Sequence, residues 1–209
     1  MKNFENKLYV ITESGISKGK SNEEVIKESI VGGAEIIQLR EKEWSKDKLK
    51  EEAIKLLKVC RENNVLFIVN DYVDIALEIG ADGVHLGQSD MSIKQAREIC
   101  NKFNKKIIIG LSTHSVEQAV KANEEDVDYI TIGPIFKTRS KDYTVGTGMI
   151  KEVSDKVDKP LIAIGGINKD NIDSVLEQGV KSVAVISAVV GADNVMEAAK
   201  ELVQRIKKQ

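Results

Sequence analysis

The sequence predicts a (β/α)8 TIM barrel, and three observations predict it. Eight short runs of β-branched and aliphatic residues recur along the chain, with helical stretches between them, an alternation that implies a parallel sheet. The runs are almost continuously apolar, as in strands covered on both faces. The repeat averages about 26 residues over the 209-residue chain, close to the shortest length of a strand–helix crossover. Eight such units favour a closed barrel, a small one, over a doubly wound open sheet. No linker, Pro/Ser-rich hinge or composition break interrupts them, so residues 1–209 are expected to form one domain.

The strands are expected at residues 8–12 (LYVIT), 36–39 (IIQL), 66–70 (LFIVN), 83–86 (GVHL), 107–111 (IIIGL), 129–133 (YITIG), 161–164 (LIAI) and 183–187 (VAVIS). Between the second and third, Leu49, Ala53, Leu56, Leu57 and Cys60 recur at three- and four-residue steps and form one helical stripe. Asn63 and Asn64, Gly80 and Gly179 each precede a strand and read as helix stops. Ser115 and Gln118 have the spacing of a capping box.

Composition removes several function classes. Lys and Arg number 31 against 33 Asp and Glu, a formal net charge of −2, so the broad positive surface used by non-specific nucleic-acid or anionic-membrane binders is absent. Two cysteines outside any C-x-x-C pair make no disulfide framework; Cys60 and Cys100 lie on helical apolar stripes and read as small core residues. The opening MKNFENK has no apolar signal core, and no run reaches the roughly 18 apolar residues of a membrane span, so a cytoplasmic protein is expected.

In such a barrel chemistry sits at the carboxyl ends of the strands. The second strand runs into Gln38, Leu39, Arg40, Glu41 and Lys42, where alternation places Gln38, Arg40 and Lys42 on one side. Arg offers a bidentate fork to phosphate and Lys a mobile point charge, although a solvated loop paired to Glu41 and Glu43 reads nearly as well. Asn70 and Asp71 follow the third strand, and Asp90 follows the fourth. Neighbouring strands lie about 4.8 Å apart, so the two carboxylates can converge over one point. Two carboxylates with waters and a polyphosphate suit Mg2+; alternatively each Asp caps the helix that follows. His85, inside the fourth strand, reads as a hydrogen-bonded interior residue. Ser112 and His114 after the fifth strand suit substrate contact and local structure about equally.

The longest irregular stretch, residues 134–148, is cationic and hydroxyl-rich and ends in two glycines, as a loop closing over an anion would. Gly165 and Gly166 after the seventh strand and Ser187 at the end of the eighth occupy the habitual phosphate position of these barrels. Two anion sites in one rim suggest a reaction that joins two phosphorylated molecules or moves a diphosphate.

Seven segments then carry a resemblance: QLREK, ND at Asn70 and Asp71, ADGVHLGQSDM, GLSTHS, GPIFKTRSKD, AIGGIN and AVISA. In this order, each at an expected strand end, they resemble the thiamine phosphate synthase family along essentially the whole chain. The resemblance implies a transferase of thiamine biosynthesis. It would condense 4-amino-2-methyl-5-hydroxymethylpyrimidine diphosphate with 4-methyl-5-(2-phosphooxyethyl)thiazole, or its carboxylated form, to give thiamine phosphate and diphosphate.

It further implies that Gln38, Leu39, Arg40, Glu41, Lys42, Asn70, Ser112 and Lys141 hold the pyrimidine diphosphate and Asp71 and Asp90 the Mg2+. Thr138, Arg139, Ser140, Gly166, Ile186 and Ser187 would hold the thiazole phosphate. Arg40, Lys42 and Lys141 would stabilise the departing diphosphate. The chain departs from the family pattern at Lys137, where Pro is usual, and at Ser140, where Thr is usual.

Two other readings compete. Thiazole tautomerase-like isomerases of the same superfamily are similar in the second half of the barrel, and His114 suits them, but they lack the full diphosphate set. A non-catalytic phosphate-ligand sensor would not need the paired carboxylates. Phosphorylated small molecules are the expected partners, with no nucleic acid or membrane, and a homo-oligomer is compatible. Trp44 reads as a loop anchor.

Overall fold

In the computed structural model, which describes residues 4–208, eight parallel strands close a barrel in chain order. The reading of the extreme N-terminus and the outer limits of the expected domain fall partly on residues 1–3 and 209, outside the described residues. The strands are β1 (Leu8–Ile11), β2 (Ile36–Leu39), β3 (Leu66–Asn70), β4 (Gly83–Leu86), β5 (Ile108–Thr113), β6 (Tyr129–Ile132), β7 (Leu161–Ile164) and β8 (Ser182–Val185). β8 pairs with β1 through Tyr9 against Ala184, which leaves the sheet without an edge.

The helices are α1 (Asn22–Val31), α2 (Lys46–Glu62), α3 (Val73–Ile79), α4 (Ile93–Lys102), α5 (Val116–Glu124), α6 (Gly148–Ser154), α7 (Ile172–Leu176), α8 (Ser187–Val190) and α9 (Val195–Ile206). The apolar stripe expected on α2 is its buried face: Leu49, Ala53, Leu56, Leu57 and Cys60 pack against the barrel wall. Cys60 and Cys100 are both free and buried. Among the described residues, no helix is long and apolar enough to cross a membrane.

Alternation along each strand separates two cores. Outward residues such as Val10, Ile37, Leu39, Phe67, Val69 and Val84 pack under the helices. Inward residues, among them Tyr9, Ile36, Ile68, Ile108, Tyr129, Ile162 and Ala184, fill the barrel. Gly110 makes room for the largest of them, because a Cβ there would stand 2.1 Å from the Tyr129 ring.

Four strand ends differ from the expectation; β1 and β6 each stop one residue early, and the other two move site residues. β5 continues through Ser112 to Thr113, so Ser112 is an inward strand residue rather than part of the loop. β8 stops at Val185; Ile186 has φ −117° and ψ −86°, and Ser187 opens the short α8, giving one helix more than the eight expected. A run of apolar residues does not itself distinguish a strand end from a helical turn.

Candidate active site at the carboxyl rim

The rim above β2, β3 and β4 brings the acidic pair together. Asp71 immediately follows β3, and its φ of +65° places it in the left-handed region, which Asp tolerates better than most residues. Its N–H donates to the carbonyl of His85 at 2.9 Å and ties this turn to β4. Asp90 lies in the turn after β4, where one carboxylate oxygen accepts from the Gly87 N–H at 2.7 Å. The Asp71 and Asp90 carboxyls are near enough to interact directly.

Burial and the neighbouring Asp90 push the Asp71 carboxyl up to about 6, while the charges of Arg40 and Lys42 pull it down. Two acids and two cations therefore occupy one neighbourhood. The helix-cap alternative does not hold: the N-cap of α3 is Tyr72, without a side-chain cap bond, and α4 is capped by Ser92.

The pair suits a hard divalent cation, because bringing two carboxylates together is unfavourable without a positive charge or a proton between them. Among the described residues no group of three or more His, Cys, Asp or Glu could hold a metal. A site of two carboxylates fits Mg2+, which usually retains waters and substrate phosphates in its shell.

Not every residue of the QLREK segment faces this site. Leu39 is fully buried in the outer core, so only its backbone reaches the rim. Glu41 is buried and turned aside: its carboxylate accepts from Ser14 N–H at 3.0 Å, Ser14 Oγ at 2.7 Å and Asn22 Nδ2 at 3.0 Å. It anchors the 3-10 turn Ser14–Ile16 to the rim.

Gln38 faces inward and belongs to a polar chain through the barrel. Its Nε2 donates to the Tyr9 hydroxyl at 2.7 Å, and the Tyr9 and Tyr129 hydroxyls lie 3.0 Å apart. His85 then bridges Tyr129 Oη to its Nδ1 at 3.0 Å and Ser112 Oγ to its Nε2 at 2.8 Å. Burial pushes the His85 imidazolium pKa down to about 4, so the ring is neutral near pH 7, and burial raises both tyrosines well above the usual phenol value. His85 is thus the bonded interior residue that its position suggested. Sequence reasoning missed the two tyrosines, whose only signal was a polar tip in otherwise apolar strands.

On the opposite side of the rim, a cavity of about 600 Å3 is lined by Thr138, Arg139, Ser140, Gly166, Ile186 and Ser187, together with Glu13 and Lys137. All six residues expected around one phosphate thus share one cavity. Its wall is built by close backbone approach: Ile135 and Phe136 donate their N–H groups to Ile164 and Gly165 carbonyls, each at 2.9 Å. Gly166 sits at φ +67°, where a Cβ would lie 2.7 Å from the Lys137 carbonyl oxygen. Thr138 lines this cavity, and its Oγ1 is buried with no protein partner. Glu13 is a lining residue that sequence reasoning missed, because nothing separates it from other acids beside a strand end.

Lys141 lies elsewhere. It is exposed on the loop after β6, with Nζ 5.8 Å from the Tyr143 ring centroid, and does not line the cavity. The Tyr143 ring in turn meets the His114 ring edge-on at 6.1 Å. His114 Nδ1 is 2.5 Å from the Gly133 carbonyl oxygen, and its N–H donates to Gln118 Oε1, so this histidine secures the start of α5. Ser115 caps α5 through Gln118 N–H, while the Gln118 side chain serves His114 instead of closing a capping box. Trp44 lies under the Lys48 ammonium, 3.7 Å from the ring centroid, as a loop anchor would.

Comparison with known proteins places this rim in a family. The family model described as thiamine monophosphate synthase matches residues 8–189. The chain belongs to the thiamine monophosphate synthase family. It is 45% identical over 204 residues to the thiamine-phosphate synthase of Persephonella marina, covering 97% of this chain and 96% of that protein. It is 42% identical over 199 residues to the thiamine-phosphate synthase of Chloroflexus aurantiacus, covering 94% and 90% of the two chains. Among solved structures, thiamine phosphate pyrophosphorylase from Pyrococcus furiosus superposes with a TM-score of 0.89 at 40% identity, covering 97% and 96%. Membership of the synthase family makes the chain an enzyme of the transferase class, with the resemblance read from its motifs now supported across the barrel.

Proposed function

We propose that the chain joins 4-amino-2-methyl-5-hydroxymethylpyrimidine diphosphate to 4-methyl-5-(2-phosphooxyethyl)thiazole, or its carboxylated form, and releases diphosphate. One observation carries this reading: the Asp71–Asp90 pair beside Arg40 and Lys42 shares the rim with a separate cavity holding the orphan Thr138 hydroxyl. An isomerase that binds one phosphorylated thiazole has no use for the first of these. The residue on which the isomerase alternative leaned, His114, has a ring nitrogen engaged with Gly133 O and lies outside the cavity lining.

In this reading Asp71 and Asp90 hold Mg2+, and Arg40 and Lys42 lie beside the diphosphate, where fixed positive charge stabilises the leaving group. When bound, the metal ion supplies further neutralisation of the departing charge. The bond from the pyrimidine methylene carbon to the diphosphate oxygen breaks, both electrons leave with diphosphate, and the cation is delocalised into the electron-rich aminopyrimidine. No protein nucleophile is required. Thr138, Arg139, Ser140 and the backbone at Gly166 and Ser187 hold the second substrate by its phosphate. Its ring nitrogen then forms the new bond to the methylene carbon.

The test is diphosphate release with both substrates and Mg2+ present. The synthase reading expects diphosphate and thiamine phosphate in equal amounts; isomerised thiazole without diphosphate would overturn it.

A further inference from the structure

The assignment of protons that leaves no buried hydroxyl without an acceptor gives the polar chain through the barrel a direction. An amide nitrogen can only donate, so Gln38 Nε2 gives its proton to Tyr9 Oη at 2.7 Å. The Tyr9 proton is then left for Tyr129 at 3.0 Å, and the Tyr129 proton for His85 Nδ1 at 3.0 Å. In that assignment Nδ1 accepts and the neutral ring carries its proton on Nε2, which donates to Ser112 Oγ at 2.8 Å. Thr131 Oγ1 also donates to that oxygen, at 3.4 Å. At the two ends, Gln38 Oε1 is left as an acceptor and the Ser112 hydroxyl proton is left to donate.

We propose that Tyr9, Tyr129 and His85 are positioning residues that set this polarity, and that the chain thereby selects an aminopyrimidine over its 4-oxo analogue. The inference rests on the function proposed above and deepens it. An aminopyrimidine brings an amine donor and ring-nitrogen acceptors, which match an amide acceptor and a hydroxyl donor. The 4-oxo analogue puts a carbonyl where the amine stands and meets the Gln38 oxygen with a second acceptor. Reversing the preference requires flipping the Gln38 amide, which in turn requires every proton along the chain to reverse and His85 to change tautomer. The five side chains therefore discriminate as a unit, although only the end residues face the rim. Burial favours this, since an unmatched polar group inside the barrel is more costly than one in water.

Two measurements test the proposal. The first is the 15N spectrum of the unliganded wild-type protein labelled at histidine; with only His85 and His114 in the sequence, assignment needs a single histidine variant. An Nε2–H tautomer for His85 is expected, and an Nδ1–H tautomer overturns the proposal. The second is the ratio of kcat/KM for the 4-amino pyrimidine diphosphate to that for its 4-oxo analogue. Tyr129→Phe keeps the ring that packs over Gly110 and removes the hydroxyl, so the ratio should fall by about tenfold or more, as for loss of a buried hydrogen-bond constraint. Equal losses with both substrates would show a merely structural role and overturn it. If Tyr129→Phe does not fold, Tyr9→Phe cuts the chain beside Gln38 and carries the same expectation. A wild-type protein inactive on both pyrimidines refutes the proposed function, while the tautomer still decides this inference.

Discussion

The carboxyls of Asp71 and Asp90 interact directly from the ends of neighbouring strands, and the turn that carries Asp71, with its φ in the left-handed region, is tied to His85 O through the Asp71 N–H. Because the folded pKa of Asp71, about 6, lies above the ordinary value of 3.8, the native state holds this proton more tightly than the unfolded chain. The metal-free protein is thus favoured below 3.8 and loses that contribution as pH rises through 6. Asp71→Asn should stabilise the metal-free protein at pH 8 by on the order of 1 kcal/mol, given the screening at its exposed side. Mg2+ should raise the melting temperature of the wild type and not of the variant. Urea titrations and melts with and without Mg2+ measure both effects.

Diphosphate release by Asp71→Asn and by Asp90→Asn should fall by about 10²–10³-fold under limiting Mg2+, the range found when one preorganised electrostatic contact is lost. Full activity in both variants would dissociate the acidic pair from the chemistry.

Glu41 reads in the sequence as a member of a phosphate-binding segment, yet its carboxylate serves Ser14 and Asn22. Glu41→Ala should destabilise the fold by about 2 kcal/mol, because a half-buried backbone N–H, a hydroxyl and a buried amide lose their acceptor together. The KM for either substrate should change less than the denaturation midpoint, which separates anchoring from direct binding.

The barrel was legible because eight apolar runs at a short regular period leave few alternatives, and the rim residues because polar groups there interrupt those runs. Side-chain direction was less legible. Gln38 and Leu39 are neighbours in sequence, and only pleat parity sends the first into the barrel and the second under the helices. The direction of Lys141 was not legible either: it is exposed on the loop after β6 with Nζ 5.8 Å from the Tyr143 ring centroid, and loop conformation has no fixed period. Ser187 was read as a strand end, and the turn at Ile186 that starts α8 depends on φ and ψ that no residue type there enforces.

His85 supplies a pH dependence of opposite sign to Asp71. Its folded pKa of about 4 lies below the ordinary value of 6.5, so its contribution is present above 6.5 and is lost as pH falls through 4. The shift corresponds to on the order of 3 kcal/mol. Between pH 6 and 4 Asp71 works against this loss, so the wild-type slope should be shallower than that of Asp71→Asn. Urea midpoints across pH 4–7 in both proteins check the sign and the difference.

Gly166 tests the second cavity separately from the first. At φ +67° an L-residue already costs about 1 kcal/mol, and a Cβ would stand 2.7 Å from Lys137 O and 2.8 Å from Phe136 Cβ. Backbone can relieve those contacts only by moving away, so Gly166→Ala should displace the segment that carries Thr138, Arg139 and Ser140 from β7. The expected result is a rise of about tenfold or more in KM for the thiazole phosphate, since 1.4 kcal/mol of lost binding is already tenfold. The acidic pair, Arg40 and Lys42 lie outside this cavity's lining, so KM for the pyrimidine diphosphate should hold within about twofold, the scatter expected of distant, uncoupled sites. Equal rises for both substrates would mean that one pocket, rather than two, receives the reactants.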